Sequence, residues 1–116
     1  RIVPEHEHWA GPGGPLMISS DSGRTMLALF EGEPRRNRPT AGHHRVAFRV
    51  SGMGFLQFLE HVRRVPVYGE HGELVTNLHP VDHGKAFSVY FCDPYGNRFE
   101  VTTYEYRHVK NALTLA

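Results

Sequence analysis

The chain has 116 residues, and its 13 Lys and Arg against 12 Asp and Glu leave a formal net charge of +1. That length supports one core of modest size, and so even a charge balance argues against nucleic acid or a membrane surface as a partner. No apolar run approaches the roughly 20 residues that span a bilayer, no signal peptide is visible, and the single cysteine, Cys92, permits no internal disulfide, so a cytoplasmic location is expected.

Residues Arg1 to Trp9 read as a strand. Because Arg-Ile-Val-Pro begins as if already inside that strand, the chain is expected to start within a longer sequence. After a Gly/Pro loop from Ala10 to Pro15, Leu16–Ser19 and Thr25–Phe30 form a hairpin around the turn residues Asp21-Ser22-Gly23-Arg24. Residues 34–42 hold Pro34, Pro39 and the basic cluster Arg35-Arg36-Asn37-Arg38, and read as a linker.

The pattern then restarts. Residues 44–50 alternate as a strand, with Val46, Phe48 and Val50 against Arg45, Ala47 and Arg49. From Ser51 to Val65 the period becomes helical, with Phe55, Leu56, Phe58, Leu59 and Val62 on one stripe, Ser51 as N-cap and Pro66 as the stop. A strand around Leu74–Leu78, a loop from His79 to Lys85 and a hairpin turning at Asp93–Asn97 follow, and residues 107–116 read as a C-terminal tail. The second half, residues 43–106, is thus β-α-β-β-β. The first, residues 1–33, is the same unit lacking its opening strand and helix. The expected core packs the helical stripe against Val46, Phe48, Val89, Phe91 and Val101.

The last hairpin carries the most information. Phe87, Val89, Phe91, Phe99 and Val101 point to one face, and Ser88, Tyr90, Glu100, Thr102 and Tyr104 to the other. A lone carboxylate in mid-strand is costly in a plain core, so this polar face is the candidate binding surface. His83, at a loop mouth before Tyr90, is an acid/base candidate with that tyrosine. The other histidines say less. His6 and His8 share one face of the expected first strand, His61 lies on the helix surface, His71 and His79 are in loops, and His108 is in the tail. His43 and His44 open the strand beside the Glu100 strand, where a divalent ion could be held, although strand parity turns His44 away from Glu100.

The segment His44-Arg45-Val46-Ala47-Phe48-Arg49-Val50, the helix after it, and Ser88-Val89-Tyr90-Phe91-Cys92-Asp93-Pro94-Tyr95-Gly96-Asn97-Arg98-Phe99-Glu100 resemble the vicinal oxygen chelate superfamily. That superfamily includes glyoxalase I, bleomycin and fosfomycin resistance proteins and extradiol dioxygenases. The resemblance covers residues 1–106 and implies an α+β fold of paired βαβββ modules forming a cupped mixed sheet, here with a first module lacking its opening strand and helix. Such a module exposes sheet edges and the apolar Leu27 and Leu29, to be covered by another chain or by a preceding segment, and a homodimer is expected in either case. It implies Glu100 and His44 as ligands of a divalent ion (iron, manganese, nickel or zinc), and His83 and Tyr90 as catalytic groups of a metal-dependent lyase or dioxygenase. The sequence departs from the pattern where a ligand histidine is expected directly before Val46, for Arg45 stands there. An Arg45–Glu100 ion pair would satisfy both charges with no metal. The alternative is therefore a metal-free protein that sequesters a small molecule, with Arg45, Arg49, Met26, Phe30 and Tyr104 lining the cup.

Overall fold

The computed structural model describes residues 1–32 and 44–115; the segment read as a linker, its basic cluster and His43 lie outside the described residues. The chain divides into two compact units, Arg1–Thr40 and Ala41–Ala116.

In the first unit the opening segment departs from the strand expected of it. Only Ile2 bridges to Ile18, and Pro4–Trp9 forms a 3₁₀ helix with proline at its start and Glu5 and Glu7 in its first turn. Proline presets the helical φ and has no N–H to leave unpaired at a helix start, which outweighs the extended bias of Ile2 and Val3. His6 and His8 therefore share no strand face; both lie against the Trp9 ring, His6 stacked with centroids 3.9 Å apart. The hairpin forms where expected. Strands β1 (Leu16–Ile18) and β2 (Leu27–Leu29) pair antiparallel. Their turn is tied by the Asp21 carboxylate, which accepts from the Thr25 N–H at 2.8 Å and from the Thr25 hydroxyl at 2.7 Å.

The second unit is a mixed sheet packed on helices. Strand β3 (Arg45–Arg49) leads into α1 (Gly52–His61). Ser51 caps that helix by accepting from Gly54 N at 3.0 Å, one of the first-turn donors that have no partner within the helix. The regular helix ends at His61, short of Val65; Arg63 and Arg64 bond back to Glu60 and His61 in tight three-residue turns, and Val65 N–H closes a last four-residue turn on the His61 carbonyl. Pro66, which has no N–H, ends that series of back-bonded turns.

Where one strand around 74–78 is expected, the chain makes three short ones: β4 (Val67–Tyr68), β5 (Leu74–Val75) and β6 (Val81–Asp82). The last lies inside the segment read as a loop. Strands β7 (Phe87–Cys92) and β8 (Arg98–Thr103) form the long hairpin. Its turn needs the positive φ of 88° at Gly96 and is closed by Asp93 Oδ1, which accepts from Tyr95 N and Asn97 N at 2.9 Å each.

The sheet order is β3-β8-β7-β4-β5, with β6 also on β7. β3 runs parallel to β8, while β8, β7, β4 and β6 pair antiparallel. The expected tail is instead a second helix, α2 (Tyr106–Leu115). Tyr106, Val109 and Leu113 fall at helical spacing, and all three join the core formed by Phe55, Phe87, Val89 and Val101. Tyr106 stacks on Phe87 with centroids 5.0 Å apart. Glu105, the residue directly before this helix, has a carboxylate that accepts from Gly52 N at 3.0 Å, a negative charge at the positive end of α1. Val46 and Phe48 were expected in this core but sit at its edge on the terminal strand β3. Val46 is 39% exposed, and Phe48, half-buried, stacks on Phe99.

Candidate functional site

The face of β3, β8 and β7 that turns away from α1 carries the polar side chains. Register fixes who meets whom. Arg45 lies beside Arg98, Ala47 beside Glu100 and Arg49 beside Thr102 across the parallel pair. Glu100 lies beside Tyr90, and Thr102 beside Ser88, across the antiparallel one.

Glu100 is the centre of this surface. Its Oε2 accepts from the Ser88 hydroxyl at 2.9 Å, and its Oε1 faces Arg45 Nη1 at 3.8 Å. Ser88 also contacts the Thr102 hydroxyl at 2.9 Å, and Thr102 reaches the Phe87 carbonyl at 3.2 Å. Each hydroxyl has one proton, so the chain runs Thr102 to Phe87 O or to Ser88, and Ser88 to the carboxylate. Ser88 is 1% exposed; the network holds the carboxylate from beneath and leaves its upper side to Arg45. The Arg45 guanidinium lies over the Tyr90 ring, 4.6 Å from its centroid, and the Tyr90 hydroxyl shares a 2.9 Å hydrogen bond with His83 Nε2. A second arginine–tyrosine stack, Arg49 over Tyr104 at 4.8 Å, repeats the arrangement further along β3.

His83 is placed by the turn it belongs to. Its backbone N–H bonds to the Ala86 carbonyl at 2.9 Å, and the preceding Asp82 anchors the loop rather than the imidazole. Asp82 accepts from Gly84 N at 2.8 Å, the Tyr106 hydroxyl at 3.0 Å and Lys110 Nζ at 3.2 Å. The Gly84 amide, ahead of Tyr106 and Lys110, pulls the Asp82 carboxyl below its ordinary range, and donation to Asp82 raises the Tyr106 phenol. From sequence, Asp82 is a candidate partner for the His83 ring, but its true partners Tyr106 and Lys110 lie on a helix where a tail is expected, and so are not foreseen. Sequence reasoning also missed the buried Ser88–Thr102 support, although both lie on the polar parity of their strands.

His83, Tyr90, Arg45 and Glu100 thus come together, with Arg49 and Tyr104 on the same face. His44 stands exposed one residue before β3, on the opposite parity to Arg45. Met26 and Phe30 flank β2 in the first unit and are both exposed. Among the described residues no three His, Cys, Asp or Glu side chains converge as an ion site, and the free side of Glu100 meets a guanidinium. The described residues of one chain do not by themselves fit a resident divalent cation. A small cavity of about 210 Å³ opens between Arg45, Tyr90, Arg98 and Glu70. A larger hollow, about 620 Å³, lies in the first unit between Arg1–Glu5 and the residues Ser19, Ser20, Ser22 and Gly23 of the hairpin turn; the Ser19 hydroxyl there is spent on Asp21.

No family model, no curated protein and no solved structure matches this chain. The site is therefore read from its own geometry. No helix among the described residues is long and apolar enough to cross a membrane.

Proposed function

We propose that this is a vicinal-oxygen-chelate-type protein that binds a small molecule on the polar face of β3, β8 and β7 without a metal ion. The superfamily reading is supported by element order: β3 and α1 lead into β4, β7 and β8, with the two-residue strands β5 and β6 inserted between β4 and β7, and the first and last strands, β3 and β8, are parallel neighbours. The metal-free reading is carried by one observation, the Arg45 guanidinium 3.8 Å from Glu100. There the pair neutralises charge that an ion would otherwise balance. A glutamate supported from below by Ser88 and an arginine held on a tyrosine ring are preorganised groups, which lowers the ordering cost of binding. The protein then acts by sequestering its ligand, as a resistance protein would, with a second copy of the chain as its expected partner.

A second, enzymatic reading is favoured by the His83–Tyr90 hydrogen bond of 2.9 Å. A histidine sharing a proton with a phenol at the edge of a binding face is suited to general acid–base work on a lyase or dioxygenase substrate. Elemental analysis of the purified protein separates the two. Sequestration without an ion predicts no stoichiometric divalent metal and unchanged stability after chelation. A cation bound one per chain, and lost in Glu100→Gln, rejects it.

A further inference from the structure

The polar face carries three guanidiniums, and they are not equivalent. Arg45 faces Glu100 at 3.8 Å and Arg98 faces Glu70 at 3.9 Å. Arg49 has no carboxylate within ion-pair reach among the described residues; its contact is the Tyr104 ring, 4.8 Å away. Among the described residues, these three positive groups meet two carboxylates, and Arg49 is the one left without such a partner.

A charged terminal strand discourages edge-to-edge pairing, but that role needs no fixed side chain. The Arg49 guanidinium carbon instead sits over the Tyr104 ring, 4.8 Å from its centroid. A stacked guanidinium keeps its in-plane N–H donors at the edge, in the fork geometry that matches a carboxylate. The space beside it is open as well. Ala47 is the residue between Arg45 and Arg49 on this face, and its register neighbour Glu100 is drawn toward Ser88 and Arg45. Four residues of strand separate the two arginines by roughly 13 Å at about 3.3 Å per residue, with the exposed Ala47 between them.

We propose that the ligand of this face is a small carboxylate, its anionic group paired with Arg49 on Tyr104 and a neutral polar group directed toward Tyr90 and His83. This rests on the reading of the polar face as a binding site and names the ligand class. A monoanion matches the one guanidinium here that meets no carboxylate among the described residues; the carboxylates already facing Arg45 and Arg98 would oppose a more highly charged group near them.

The test compares para-hydroxybenzoate with its neutral isostere para-hydroxybenzamide by calorimetry, on wild type, Arg49→Gln, Arg49→Lys and Tyr90→Ala. Arg49 is exposed, so its replacements fold. The carboxylate is expected to bind wild type about 10- to 100-fold more tightly than the amide, the range for a charge-assisted hydrogen bond. That preference disappears in Arg49→Gln and survives in part in Arg49→Lys. Equal affinity for acid and amide, a preference that persists in Arg49→Gln, or no binding of the acid at millimolar concentration overturns the assignment. If acid and amide bind equally and both are weakened by Tyr90→Ala, only the carboxylate inference falls. If Tyr90→Ala changes neither, the binding face itself is misplaced.

Discussion

Phe55→Ala tests the packing that decides which face of the sheet is free. Phe55 is fully buried, at 0% exposure. Its ring lies 6.5 Å from that of Phe87 and shares a cluster with Val89 and Val101 on the two central strands and Val109 on α2. Three elements frame the side chain, so none can move inward alone to fill the void. Removing it should then cost about 3–5 kcal/mol, the upper part of the large-to-small range. Stabilities of single domains are about 5–15 kcal/mol, so the variant should unfold at a clearly lower urea concentration. The assay is urea denaturation followed by circular dichroism, where the midpoint falls while the slope holds. Met53→Ala is the control: it lies on the same helix, is 60% exposed, and should change stability by no more than about 0.5 kcal/mol. A cost for Phe55→Ala below about 1 kcal/mol would refute the packing of α1 on β7 and β8. The assignment of the opposite face to ligand binding would fall with it.

Three further outcomes follow from local geometry. Ser51→Ala should destabilise by about 0.5–2 kcal/mol by leaving Gly54 N without its cap, seen in the same urea experiment. Asp21 is pulled from its ordinary 3.8 to about 2, first by the Thr25 amide and then by the Thr25 hydroxyl. A depressed carboxyl stabilises the fold above its unfolded pKa and loses that contribution as pH falls through the folded value. Hydrogen-exchange protection of the Thr25 amide should therefore drop between about pH 4 and pH 2, and Asp21→Asn should remove that step. Cys92 is buried and its thiol is pushed up, chiefly by desolvation. It should react slowly with a disulfide reagent until urea unfolds the chain; rapid reaction in the native protein would place it at the surface.

Strand parity was the most legible part of this sequence. Alternation in Phe87–Cys92 and Arg98–Thr103 correctly separated Val89 and Val101 from Ser88, Tyr90 and Glu100, because a period of two leaves no choice of side once a turn is fixed. It also put Arg45 on the same face as Glu100; register sets Arg45 opposite Arg98 and Ala47 opposite Glu100, so that ion pair runs diagonally across the two strands. Short elements were not legible. Strands β4, β5 and β6 have two residues each, too few for any period, and β6 exists through its pairing with β7 rather than through its own propensity. The segment Pro4–Trp9 failed because proline at a helix start and β-bias in Ile2-Val3 conflict, and local capping won. The C-terminal helix was missed although Tyr106, Val109 and Leu113 carry the spacing. Polar residues between them masked it, and with it the anchoring of Asp82 that positions the His83 loop.

The claim that the polar face of β3, β8 and β7 binds a small molecule without an ion is tested most directly by a thermal-shift ligand screen in the presence of a chelator, run in parallel on wild type and Tyr90→Ala. Tyr90 is the shared contact of Arg45 and His83, so its truncation removes a platform and a hydroxyl at once. The account predicts compounds that stabilise chelated wild type and lose most of that effect in Tyr90→Ala. Tyr90→Phe should weaken the hydrogen-bonded hits by about 0.5–1.5 kcal/mol. Compounds that stabilise wild type and Tyr90→Ala equally, or that act only when a divalent ion is restored, would contradict it.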